Sequence, residues 1–88
     1  MEIIHDKNNH RFYCIVEGKE CFAEYEIEED GSWNFYHTFT PLSLRGRGIA
    51  KSIFDEILKY VKENRLKVIP SCSYAEKYFE ENGREFVK

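Results

Sequence analysis

The stretch "HTFTPLSLRGRGIAKSIFDEIL", residues 37–58, contains the point at which the chain changes its period. Up to Phe39, ring-bearing residues recur at every second position. Trp33, Phe35, His37 and Phe39 are thereby predicted to share one face of a strand spanning Trp33–Phe39. From Ile49 the apolar residues fall instead at Ile49, Ile53, Phe54, Ile57, Leu58 and Val61, a helical stripe running to about Asn64. Pro41 closes the strand pattern, and two arginines alternating with two glycines fill the turn between the two periods.

Working outward, Arg11–Glu17 and Lys19–Glu28 read as strands joined by a turn at Gly18-Lys19. In the second of them Cys21, Ala23, Tyr25 and Ile27 fall on one face and Glu20, Glu24, Glu26 and Glu28 on the other. Asp30-Gly31-Ser32 is a turn, and Ile3-Ile4 reads as the start of a short leading strand. Downstream, Lys67-Val68-Ile69 is a short buried strand closed by Pro70. Ser71-Cys72-Ser73 then leads into a last helix, about Tyr74–Asn82, with Gly83 as its stop. An antiparallel meander followed by helix, strand and helix predicts an α+β fold, equivalently a mixed α/β sheet with one crossover helix. With no repeat or linker, residues 1–88 read as one domain.

Seven Phe, six Tyr and one Trp give a chain of 88 residues enough apolar bulk for one modest core. A net charge of -3 argues against an obligate nucleic-acid binder. No apolar run is as long as a membrane span, and the first residues lack the layout of a secretion signal. Three cysteines with no C-x-x-C pair and no zinc-ligand spacing point to reduced thiols, no metal and a cytoplasmic protein.

The glycine loop fits neither common nucleotide motif. A P-loop requires Gly-Lys-Ser/Thr where this chain has Ala50-Lys51-Ser52, and its first glycine falls on Arg45. The dinucleotide fingerprint puts its third glycine at Lys51, and the strand Lys67–Ile69 has no acidic residue near its end. An anion site remains a physical reading: Gly46 and Gly48 allow backbone amides to approach a phosphate at a positive helix end, beside Arg45, Arg47 and Lys51. An ordinary flexible turn with solvated charges is the other.

The segment Arg45-Gly46-Arg47-Gly48-Ile49-Ala50 resembles the R/Q-x-x-G-x-G/A signature of the GNAT acyltransferases, in the strand-to-helix position where that superfamily carries it. With "LKVIPSCSYAEKYF" and the short length, the chain is similar to the minimal bacterial GNAT-like proteins of the YjdJ type over roughly residues 10–86. The resemblance implies a truncated GNAT fold that binds acetyl-CoA and transfers its acetyl group to an amine, either on a small molecule or on a protein. The pyrophosphate would rest on the amides of Gly46, Arg47, Gly48, Ile49 and Ala50, with Arg45 and Lys51 nearby. The pantetheine arm would lie between the parted strands, pairing with backbone near Phe39 and Thr40. Tyr74 and Tyr78 would flank that arm or pack in the core. The family's N-x-x-A-x-x-x-Y-x-x-x-G-F pattern falls on Cys72, Ala75, Phe79 and Gly83, so its tyrosine is replaced by Phe79.

Two residues stand out as catalytic candidates. Cys72 precedes a helix, where backbone amides favour negative charge, and a thiolate there could accept an acyl group or position the cofactor sulfur; the alternative is a small residue filling a tight corner. His37, just before the loop, could deprotonate an ammonium acceptor, or could be a hydrogen-bonded core histidine. Glu24 and Glu26 could steer a cationic acceptor or simply be solvated, and Cys14 and Cys21 read as packing residues. The expectation is therefore a monomeric or weakly dimeric acetyltransferase, with a non-catalytic CoA-binding module or sensor as the alternative.

Overall fold

The computed structural model describes all of residues 1–88. Strands β1 (Ile4–Asp6), β2 (Arg11–Val16), β3 (Lys19–Ile27) and β4 (Trp33–Phe39) form an antiparallel meander. A single-turn 3-10 helix at Leu42–Leu44 and the glycine turn lead into α1 (Ile49–Glu63). Strand β5 (Val68–Pro70) returns parallel to β4, and α2 (Ser73–Asn82) and a 3-10 turn at Arg84–Phe86 finish the chain. The sheet runs β1-β2-β3-β4-β5 in sequence order, so α1 is its one crossover. This is the mixed α+β architecture predicted from the change of period.

Helix α1 forms where the stripe predicted it. Ile53, Phe54, Ile57 and Val61 lie on one side and are fully buried, in one core with Phe12, Cys14, Tyr25 and Phe35 of the sheet. Each such side chain contributes about 1.5–3 kcal/mol by leaving water. Helix α2 packs on the same side: the Phe54 ring meets Tyr74, Tyr78 and Phe79 at centroid distances of 5.3, 5.4 and 6.2 Å. Both helices thus cover one face of the sheet.

One expectation needs correction. The predicted shared face of β4 breaks in the middle, because Tyr25 pairs with Phe35 and Glu24 with His37, leaving Tyr36 as an extra residue. That bulge reverses the alternation. Trp33 and Phe35 face the core, but beyond Tyr36 it is Thr38, opposite the buried Ala23, that points inward. His37 and Phe39 point to the opposite face, paired with Glu24 and Phe22. Gly83 does end α2, yet its φ of -167° is ordinary extended backbone. Glycine is favoured there by space: a Cβ would come within 3.1 Å of Leu58 Cδ1 and 3.3 Å of rings of Phe79 and Phe86.

Candidate active site

Strands β4 and β5 stay paired only through Trp33–Val68, Asn34–Ile69 and Phe35–Pro70. The Phe35 carbonyl then accepts both Ser71 N–H (3.0 Å) and Cys72 N–H (3.2 Å), which turns the chain out of the sheet into α2. Strand β4 continues to Phe39 without a neighbour on that side, and a cleft opens where the two strands part.

A cavity of about 400 Å³ occupies this cleft, walled by Thr38, Thr40 and Tyr74 and floored by the glycine turn with Arg45, Gly46, Gly48, Ile49, Ala50 and Lys51. Gly48, the residue before α1, has a φ of 77°, a left-handed conformation that costs other L-residues energy. It offers no side chain to cap the helix, and the amides of Gly48, Ile49, Ala50 and Lys51 donate to no protein acceptor. Four N–H groups at the positive end of a 15-residue helix are thereby open to an anion.

The loop cations differ in their partners. The Arg45 Nε donates to the Thr40 carbonyl (3.0 Å), which anchors the side chain while no carboxylate pairs with its guanidinium. The Lys51 ammonium lies 3.0 Å from Asp55 Oδ2. Burial works against ionisation of Asp55, but hydrogen bonds from Tyr78 and Lys51 outweigh it and hold the carboxyl below its usual value. Arg47 turns away to Glu17 in the β2–β3 hairpin and does not line the cavity.

Of the residues singled out in the sequence, the structure brings Thr40, Arg45, Gly46, Gly48, Ile49, Ala50 and Lys51 together around the cavity. The side chains of Phe39 and Arg47 point elsewhere, though the Phe39 backbone lies on the unpaired edge of β4, and Tyr78 is absent from the cavity wall, its hydroxyl donating to Asp55 Oδ1 at 2.6 Å. Burial and that hydrogen bond push its phenol far above the ordinary range. Phe79 is fully buried. Tyr74, one helical turn before Tyr78, takes the wall position; its phenol is raised chiefly by burial, and its hydroxyl has no protein partner.

Cys72 caps α2: its sulfur accepts the Ala75 N–H at 3.4 Å and lies 3.2 Å from Thr38 Oγ1. It sits half-buried behind Thr38, which lines the cavity. His37 lies across β4 from this arrangement, exposed, with its ring edge-on to Phe22 at 5.6 Å. Thr38 is the residue sequence reasoning missed, since only the bulge turns it inward. No cluster of metal-ligating side chains is present.

A sheet opened between a meander strand and a parallel strand, with a glycine turn feeding a helix at the opening, defines the GNAT-like acetyltransferase fold. The chain belongs to the GCN5-related N-acetyl-transferase family, whose model matches residues 11–87. It is 31% identical over 84 residues to Protein NATD1 of Xenopus tropicalis, covering 93% of this chain and 77% of that one. The likeness to human Protein NATD1 is 32% over 84 residues, covering 93% and 74%. The solution structure of a GCN5-like protein from Staphylococcus aureus superposes with a TM-score of 0.69 at 26% identity, covering 98% of this chain and 85% of that one.

Proposed function

We propose that the protein is a small acetyl-CoA-dependent N-acetyltransferase of the minimal YjdJ-like type, acting on an amine. The observation that carries this reading is the row of unclaimed amides from Gly48 to Lys51, set beside Arg45 at the mouth of the β4–β5 cleft. Acetyl-CoA, when bound, supplies an activated acetyl thioester; transfer forms a C–N bond, breaks the C–S bond and releases the thiol.

The residues of the chain divide the work. The amides and Arg45 hold the diphosphate, and Lys51 exchanges Asp55 for a phosphate oxygen. Thr38, on the unpaired edge of β4, and Thr40, just past its end, guide the pantetheine arm. Tyr74, protonated at neutral pH, is placed to hand its phenolic proton to the departing thiolate. Cys72, oriented by Thr38 and the Ala75 amide, is the nucleophile of a two-step route. Its sulfur takes the acetyl group as the C–S bond to the cofactor breaks, its thiol proton replacing the one Tyr74 gives to the departing thiolate. The amine then takes the acetyl group as the C–S bond to Cys72 breaks, leaving its proton on the Cys72 sulfur. Holding thioester and amine together supplies most of the acceleration.

One observation favours a second reading, a CoA-binding module without turnover: Phe79 lies in the core where the family pattern has a tyrosine. Calorimetry with acetyl-CoA tests binding, and no heat at millimolar ligand would sink both readings. Free CoA released in the presence of an amine panel, followed by mass spectrometry, separates them. Loss of an acetyl adduct on the protein in Cys72→Ala, with acetyl-CoA affinity kept, supports the two-step route; an unchanged adduct and rate rules it out.

A further inference from the structure

The sheet face opposite the helices has no cover, and its residues are arranged in rows. Ile4 pairs with Tyr13, Tyr13 with Phe22 and Phe22 with Phe39, so each of β1 to β4 contributes one apolar residue to a continuous row about 15 Å long. Ile4 and Phe39 are each 40% exposed at its ends. The adjacent row is polar: Asp6, Arg11, Glu24 and His37.

The charges of this face are unequal. Arg11 reaches over the Tyr13 and Phe22 rings to pair with Glu20, which neutralises both. Glu24 and Glu26 have no ion-pair or hydrogen-bond partner, and Tyr36, displaced by the bulge, is 44% exposed on the same strand beside His37. A second copy of the chain laid on this face would bring Glu24 and Glu26 against acidic groups like themselves. A cationic partner with an apolar side meets both rows. His37, paired with Glu24, lies on the part of β4 that has left β5, on the sheet face opposite Thr38 and Cys72.

We propose that the uncovered sheet face docks a lysine-bearing, apolar-sided polypeptide segment, with lysines toward Glu24 and Glu26 and apolar side chains on the Ile4–Tyr13–Phe22–Phe39 row. The proposal deepens the acetyltransferase reading, because it makes a protein lysine the acceptor class. A small free amine is a poorer match, since it would leave the apolar row unused.

The test is an NMR titration of the intact, isotope-labelled chain with three probes: a short synthetic lysine–leucine peptide, the same peptide with glutamate for lysine, and a linear polyamine. The expected result is that only the lysine–leucine peptide shifts the amides of residues 22–26 and 34–39. Glu24→Gln with Glu26→Gln should weaken its binding about tenfold, with the rest of the spectrum unchanged. Equal affinity in that double variant, equal binding of the acidic peptide or of the polyamine, shifts confined to the helices, or sedimentation showing self-association through this face would each overturn the proposal. Acetyl-CoA is titrated into the same samples. If acetyl-CoA binds and the peptide does not, docking fails and the cofactor reading stands. If the peptide docks and acetyl-CoA does not bind, the reverse holds.

Discussion

Gly48→Ala tests the cradle most directly, because its cost can be separated from its effect on ligand. Gly48 has a φ of 77°, and a Cβ built there meets nothing within 4 Å, so the substitution brings no clash. What remains is the penalty of a left-handed L-residue, about 1–2 kcal/mol, or a fall in Tm of about 4–15 °C for a domain of this size. Gly18, at the tip of the β2–β3 hairpin, has a φ of 75° and equally open surroundings. Gly18→Ala should therefore lose the same stability. The two variants should separate in acetyl-CoA affinity. Relaxing the turn at Gly48 displaces one amide from an anion, a charge-assisted hydrogen bond worth about 1.5–3 kcal/mol, so Kd should rise about ten- to a hundredfold. Gly18→Ala should bind as the parent does. Thermal denaturation and calorimetry measure both quantities. Wild-type affinity in Gly48→Ala would refute the cradle, and stabilities differing by more than about 1 kcal/mol would refute the backbone argument.

Phe54→Ala removes a fully buried ring that meets four other aromatic rings, and should cost about 3–5 kcal/mol in urea denaturation. Tyr78→Phe should cost about 1 kcal/mol, because half-exposed Asp55 can turn to water; titration by NMR should show the Asp55 carboxyl moving up toward its ordinary value. Stability should also fall as pH drops below about 6.5, the ordinary histidine value. Burial, then the charge of Lys7, lowers the folded pKa of His5, so the unfolded chain binds more protons in that window. Urea midpoints at pH 7.5, 6.5 and 5.5 should record the loss, and His5→Phe should flatten the curve. Asp6, Asp30 and Asp55 have lowered values and act separately, below the ordinary aspartate value of 3.8.

Helix α1 and the glycine turn were legible because their signals are local: a 3.6-residue stripe, and glycines beside cations where the period changes. The order of elements followed from the same patterning. The facing of β4 was not legible, since a bulge adds one residue without any change in composition. Alternation carried through Tyr36 put His37 on the face of Trp33 and Phe35 and hid Thr38. Tyr74 and Tyr78 are equally aromatic and lie one turn apart, and only packing decides that one reaches Asp55 and the other the cavity. Gly83 was legible as a helix stop but not for its reason, because the crowding by Leu58 is long-range.

The doubly bonded carbonyl of Phe35 has a mechanical consequence. The two walls of the cleft belong to different parts of the chain: the meander supplies one, and β5 with α2 supplies the other. They share three residue pairings, this pivot, and the side-chain contacts Ser71–Asn34 and Cys72–Thr38. A small rotation of the C-terminal part about Phe35 widens the cleft while every hairpin of the meander stays closed. How firmly Phe54 holds α2 then bears on how readily the cleft widens, which ties the centre of the core to the opening of the site as well as to stability.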